Sequence, residues 1–307
     1  MNSTISDSQF YFNITSGLIL LIFGIAGNLM VIVVFMSKKL RNHSMNRYLS
    51  ALAISDSIEL IISVGFNISP YMGFSHMSIF CKISAGLMIM FFQYCSIITM
   101  IVSIDRFVSV IYAKRFTFKN SIQFQLKVLL IALMATLPTS VVFSLFHTSI
   151  EKSGQIAYCD FNDLNAAFFI TSLNYVLSTF IPFIVMVACT LALFRKVKKL
   201  RTKISRRYSS FKRKDVKKEV HLLKTMIGID FFFFICNTPI CIYVILIGYF
   251  PDLNDFFIFN ILNFISVFHN TFSFVVYFIC NKVFRQKFLN ILLSLRNVDF
   301  HSTTLDF

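Results

Sequence analysis

The chain has 307 residues, of which 56% are hydrophobic and only 14% charged, and it carries a formal charge of +15. That much apolar surface excludes a water-soluble globular protein and points to an integral membrane protein. The positive charge is not a nucleic-acid signature, because it is gathered into short segments between apolar runs, so no nucleic-acid partner is expected.

A membrane-crossing helix needs about 20 apolar residues. Seven stretches qualify, near 16–36, 47–71, 82–107, 126–147, 166–194, 221–248 and 256–280. The expected fold class is an all-α membrane protein, a seven-transmembrane helix bundle over 16–280 with residues 1–15 outside the membrane. The first stretch has no basic segment before it, and Asn28 stands in its inner half where a signal peptide would have a small-residue cleavage site; it reads as a retained span. After it come Lys38, Lys39, Arg41 and Arg47, and the segment from Arg195 to Lys224 holds fourteen more basic residues. The alternate loops offer only Lys82 and Lys152. Because Lys and Arg of short loops stay cytoplasmic, the amino terminus is expected outside and the carboxyl tail inside, in the plasma membrane.

Asn28 in span one and Asp56 in span two are polar groups at membrane depth, which should turn inward toward one another and toward span seven. They read either as structural glue or as parts of a switch. Span three closes on Asp105-Arg106-Phe107, an acid and an arginine where a hydrophobic helix meets the cytoplasm. Cys81 opens that span on the outer side, and Cys159 lies in the outer loop between spans four and five, where the compartment permits oxidation. A disulfide between them would pin the loop over the bundle. Cys95, Cys189, Cys236, Cys241 and Cys280 fall within spans and read as small buried apolar residues. Asn2-Ser3-Thr4 and Asn13-Ile14-Thr15 are glycosylation sequons on the outer side, whereas Asn42-His43-Ser44 should stay unmodified inside. The basic third cytoplasmic loop, about 195–220, reads as helical extensions joined by a Ser-rich turn. It would attract anionic membrane lipids, at about 1 kcal/mol per basic residue near the surface, and can also serve as a protein-docking surface.

Taken in order, Gly27-Asn28, Leu52-Ala53-Ile54-Ser55-Asp56, Cys81 through Asp105-Arg106-Phe107, Pro182, Cys236-Asn237-Thr238-Pro239 and Ser273-Phe274-Val275-Val276-Tyr277 resemble the rhodopsin-like (class A) G-protein-coupled receptors over nearly the whole chain. Two further features fit: Glu219 lies twenty residues before Pro239, where the family often has an acid, and Phe284-Arg285 begins a short amphipathic cytoplasmic helix within 281–307. The resemblance implies an activation switch of Asp105, Arg106, Glu219 and Tyr277, in which Arg106 pairs with Asp105 and, across the bundle, with Glu219. A ligand would bias such a two-state element. It also implies an intramembrane polar network of Asn28, Asp56, Asn270 and Ser273. In the family the aspartate matching Asp56 often anchors sodium; here Cys95, His269 and Ser273 stand where hydroxyl or asparagine ligands are common, which argues against a metal site. The activation relay is modified too, since Asn237 occupies the place of the usual indole, Thr190 that of a span-five tyrosine and Phe274 that of a span-seven proline. Cys236-Asn237-Thr238-Pro239 and the Asn-containing, proline-free approach to Tyr277 resemble invertebrate FMRFamide-like neuropeptide receptors.

Ligand classes of that family impose specific chemistry. A retinal opsin needs a span-seven lysine for its Schiff base, and that position is Val267. An amine receptor needs a span-three acid, and that position is Met88. The residues expected to line an outer cavity are Glu59, Met88, Phe92, Asn174, Ser178, Asn237, Ile240, Tyr243 and Asn263. Glu59 can meet a cation of the ligand or pair with a polar group on a neighbouring helix. Six outer acids against two lysines favour a basic or amidated peptide. The expected function is a receptor that binds an extracellular peptide ligand and activates a heterotrimeric G protein, without cofactor or enzymatic activity. A receptor for a lipid or other non-amine small molecule is the alternative. A transporter would show internal repeats around central charges, and an enzyme a convergent catalytic constellation. Neither is visible, and Asp230 in span six has no assigned role.

Overall fold

The computed structural model describes residues 7–38, 40–112, 121–150, 158–161, 163–207, 210–250, 253 and 256–302, except the side chains at 7–10, 158, 164–165, 200–207, 210–222, 256 and 295–302. Seven helices long and apolar enough to cross a membrane occur among these residues: Tyr11–Phe35, Ser44–Ile68, Ser78–Ile111, Ile122–Phe146, Ala166–Lys199, Leu223–Tyr249 and Phe257–Cys280. Their number is that read from the sequence, with ends shifted by at most five residues. Helices prevail because a chain in lipid must satisfy every backbone polar group internally. Large apolar side chains such as Ile22, Phe23, Ile131, Ile184 and Phe231 are each more than half exposed and face outward, as lipid-facing positions should. This is a multi-pass membrane protein.

Helix α1 (Asp7–Phe35) starts well before the expected span, so residues 7–15 continue its helix. Its first turns are held by packing: the Phe12 ring meets Phe257 and Phe264 edge-on, with centroids at 5.7 and 5.6 Å. Helix α2 (Ser44–Ile68) follows, then α3 (Ser78–Ile111) and α4 (Ile122–Phe146), which contains Pro138. Close approach of α1 to the last span depends on small residues. A Cβ on Gly27 would stand 3.2 Å from Phe274 Cβ, and one on Gly24 would stand 3.4 Å from Thr271 Cα and run into Leu60 of span two.

A short hairpin departs from the all-helical expectation. Strand β1 (His147–Ile150) pairs antiparallel with β2 (Tyr158–Phe161), with His147 opposite Phe161 and Ser149 opposite Cys159. The disulfide joins Cys81, at the start of α3, to Cys159 of β2 across a Cα separation of 5.4 Å. His147 anchors the hairpin to α4, its ring 4.5 Å from that of Phe143 and 4.1 Å from that of Phe161. Burial pushes its imidazole pKa below the usual histidine range, against the pull of its hydrogen bond to the Phe143 carbonyl.

Span five is built from α5 (Leu164–Tyr175), one wide π turn (Val176–Phe180) and α6 (Ile181–Arg207). The wide turn has a local cause: Pro182 supplies no N–H and would crowd the carbonyl of residue 178 in a regular helix. Helix α7 (Ser210–Tyr249) has 40 residues and contains Pro239. At about 1.5 Å per residue it is about 60 Å long, twice a bilayer core of about 30 Å, so the basic segment is largely helical extension of spans five and six. Span seven is α8 (Phe256–Cys280), and α9 (Lys282–Ser302) follows after Asn281. Helix α9 is longer than the short helix expected. It packs Phe284 and Phe288 against Phe274 while leaving Val283, Leu289, Leu292 and Leu293 exposed, the arrangement of a helix lying in a membrane interface. The main buried cluster, with Val31, Val34, Phe35, Leu49, Leu52, Ile98, Val102, Tyr277 and Phe284, occupies the end of the bundle that carries Asp105.

Candidate functional site

Three polar constellations run through the bundle. In the middle, spans one, two and seven share a buried network. Asn28 Nδ2 donates to the Asn270 carbonyl at 3.2 Å, and Ser273 Oγ to Asn28 Oδ1 at 3.3 Å. Asn270 Nδ2 donates to Glu59 Oε2 at 2.5 Å, and His269 Nδ1 lies 3.0 Å from Asn270 Oδ1. Asn28, Asn270 and Ser273 therefore meet as the sequence led one to expect. Asp56 does not bond to them: it is 1% exposed, both carboxylate oxygens lack a well-placed donor among the described residues, and the Cys95 thiol is the polar group beside it. Glu59 takes the place expected for Asp56. Read from the sequence as either a ligand contact or the partner of a polar group on a neighbouring helix, it is 2% exposed and bonded to Asn270. The cause is helical geometry, since three residues at about 100° each bring Glu59 back near the face of Asp56, which looks at span seven.

Toward the disulfide end, Gln93 joins three spans. Its Nε2 donates to Asn174 Oδ1 of span five at 2.7 Å, and its Oε1 accepts from Thr139 Oγ1 of span four at 2.6 Å. Ser178 Oγ bonds the Asn174 carbonyl at 2.7 Å, within its own helix. Between spans six and seven, Ser266 Oγ donates to Asn237 Oδ1 at 2.8 Å, and Asn237 Nδ2 to the Phe233 carbonyl at 2.9 Å. Of the expected ligand contacts, Asn174, Ser178, Asn237 and Ile240 are thus buried and form the supporting scaffold. Met88, Phe92, Tyr243 and Asn263 keep partial exposure. Phe92 meets the ring of Tyr175 edge-on at 6.2 Å, and Tyr243 Oη reaches the Leu253 carbonyl at 3.1 Å. Gln93, Thr139 and Ser266 were missed in the sequence. Gln93 carried a legible signal, being the sole amide side chain within α3.

Asn13, read as a sequon, is buried within α1, and the Nδ2 that would carry a glycan donates to Tyr71 Oη at 3.1 Å. That nitrogen is enclosed rather than displayed. Asn2 lies outside the described residues.

At the opposite end, Asp105 is buried and accepts from Ser44 Oγ at 2.8 Å, which ties span three to span two. Arg106 Nε points to Met45 Sδ, also on span two. The Glu219 side chain lies outside the described residues, and its expected pairing with Arg106 lies there with it. Tyr277 is 1% exposed, its ring edge-on to Phe35 at 5.5 Å and tilted against Phe284 at 5.9 Å, so it couples spans one and seven to α9. Asp230, left without a role by the sequence, accepts from Thr190 Oγ1 of span five at 2.7 Å and Ser103 Oγ of span three at 3.4 Å.

Residues 27–282 match the family model described as 7 transmembrane receptor (rhodopsin family). The chain is also similar to the Neuropeptide F receptor of Drosophila melanogaster, 23% identical over 224 residues. That alignment covers 68% of this chain and 46% of the fly protein, so the chain spans about half the length of the curated relative it matches.

Proposed function

The chain belongs to the rhodopsin family of seven-transmembrane receptors, a family of receptors and not of enzymes, and on that premise we propose that it binds an extracellular peptide and activates a heterotrimeric G protein. The observation that carries this reading is the family match from the end of span one through span seven, with Asp105-Arg106 at the end opposite the disulfide. The basic segments adjoin the Asp105 end, which supports placing that end and the carboxyl tail in the cytoplasm and the hairpin outside, in the plasma membrane. Those segments also meet anionic lipid there. Support for a peptide comes from the fly relative, a neuropeptide receptor, and from the acidic balance of the outer segments.

Met88, Phe92, Tyr243 and Asn263 are the contacts this reading assigns to the ligand. Gln93, Asn174, Ser178, Asn237, Ile240 and Ser266 hold the helices that carry those contacts. Asp105, Arg106, Glu219 and Tyr277 form the switch, in which the Arg106 and Glu219 attraction keeps the inner ends of spans three and six together at rest. Asn2 is the sequon assigned to glycosylation. The test is to express the chain with a G protein and add a panel of amidated peptides. Ligand-dependent nucleotide exchange is the expected result; solute flux into vesicles without any exchange would replace the receptor reading with a transport one.

A further inference from the structure

A carboxylate within a membrane bundle is costly unless it is paired or hydrogen-bonded, and Asp230 is 6% exposed on span six, seven residues from its Leu223 end. Its two donors come from two other spans, Thr190 on span five and Ser103 on span three. Many hydroxyls in these helices satisfy themselves locally: Thr99, Ser178 and Thr271 each bond the carbonyl four residues back. Thr190 and Ser103 reach across instead, so Asp230 gathers three helices at one point. Ser103 lies three residues, one helical turn, from Arg106.

The surroundings make this point mechanically significant. Gly228 lies two residues away, about 200° around the helix, and there span six presses on span seven so closely that a Cβ would stand 2.7 Å from Cys280 Sγ. Span six is therefore held on both faces at the same height. Pro239 interrupts the same helix nine residues further on. A proline inside a helix removes one backbone hydrogen bond and is a common site of bending. Asp230 sits about 13 Å from it, on the Arg106 side. Bending at Pro239 that swings the Arg106 end of span six outward must draw the Asp230 carboxylate away from Thr190 and Ser103.

We propose that Asp230 is a positioning residue that clamps span six to spans three and five in the resting state, so that activation requires release of the Thr190 and Ser103 hydroxyls. This rests on the reading of the chain as a receptor that opens at the Arg106 end. The clamp is separate from the Arg106 and Glu219 pair, being built of hydroxyls and one acid at membrane depth.

The experiment places spin labels on cysteines introduced at Tyr112 and Lys224, with Cys189 and Cys280 replaced by alanine, and reads the distance distribution between the inner ends of spans three and six without ligand. Thr190→Val, which keeps the shape and removes the donor, and Asp230→Ala should each raise the long-distance population about fivefold. Thr190→Ser should restore the short distance, which a merely steric role for Thr190 would not predict. The Thr190→Val and Asp230→Ala double variant should go no further than Asp230→Ala alone. Should Asp230→Ala fail to reach the surface, Thr190→Val and Ser103→Ala carry the test. Unchanged distances in Thr190→Val, or fully additive effects in the double variant, overturn the clamp. Ligand-free nucleotide exchange is measured in parallel: wider distances without any exchange leave the clamp standing and count against the G-protein reading instead.

Discussion

Gln93→Leu keeps the volume of the side chain and removes both of its links, to Asn174 on span five and Thr139 on span four. The two links are not equivalent. Thr139 Oγ1 retains a second acceptor, the Thr136 carbonyl at 3.0 Å, whereas Asn174 Oδ1 loses its donor on a side chain only 3% exposed. An orphaned buried acceptor costs about 1–3 kcal/mol in general, while hydrogen bonds between membrane helices average about 0.6 kcal/mol and reach about 1.7. The expected loss for Gln93→Leu is then about 1–2 kcal/mol. Thr139→Val breaks one link and should cost about 0.6 kcal/mol, and the double variant should match Gln93→Leu. Cys95, Cys236 and Cys241 are buried thiols, so a thiol-reactive fluorophore reports unfolding of the purified protein on heating. At about 2–4 °C per kcal/mol, Gln93→Leu should lower the midpoint by several degrees and Thr139→Val by one or two. Because Phe92 neighbours Gln93, the peptide concentration giving half-maximal exchange should also rise. A Thr139→Val midpoint as low as that of Gln93→Leu, or no change in either, would refute the assignment of Gln93 as the joint of three spans.

Glu59→Gln can still accept from Asn270 and should leave the peptide dose-response unchanged at matched surface expression, while Glu59→Leu strands the Asn270 amide and should lower surface expression; a large loss of potency in Glu59→Gln alone would return Glu59 to the ligand. His147 has a folded pKa below its ordinary value of about 6.5. Its contribution is complete above that pH and is lost as pH falls through the folded value. Hydrogen exchange in β1 and β2, corrected for intrinsic rates, should therefore quicken at pH 5 relative to pH 7.5, and His147→Phe should abolish the difference; an identical pH response in that variant would count against it. Glu219→Ala should raise ligand-free nucleotide exchange and Arg106→Ala should depress stimulated exchange, both compared at equal surface expression. A silent Glu219→Ala with a fully active Arg106→Ala would leave Arg106 outside the switch.

The span count was legible because lipid leaves a backbone few choices, and that constraint is written in composition. The cysteine pair was legible for a similar reason, as only Cys81 and Cys159 stand outside the apolar stretches near the same face. Beyond Asn28, Asn270 and Ser273, which the resemblance grouped, most pairings between side chains were not, because they depend on how far each helix is rotated about its axis. An error of one residue turns a side chain by about 100°. Glu59 was placed one turn outward from Asp56 with ligand contact and an interhelical pair both open, and only its rotation toward Asn270 selects the pair. Asp230 shows the same limit: the sequence gives its depth, and the identity of its donors follows from how spans three and five are turned. Asn174 was placed in the cavity by its height along the helix and Asn237 by its standing where the family has an indole, yet each is occupied by a residue of a neighbouring span whose polarity alone gave no address.

The cystine between Cys81 and Cys159 also reports on biosynthesis. Two crossings, spans three and four, separate its halves, and an even number of crossings returns the chain to the side from which it left. A polypeptide that inserted one of these spans and skipped the other would leave its two sulfurs on opposite sides of the bilayer, where no oxidant can join them to one another. Formation of the cystine is thus a parity check on threading: it closes after α4 has been placed and the hairpin has emerged. Chains that fail the check keep free thiols and can be separated from correctly threaded ones by that chemistry alone.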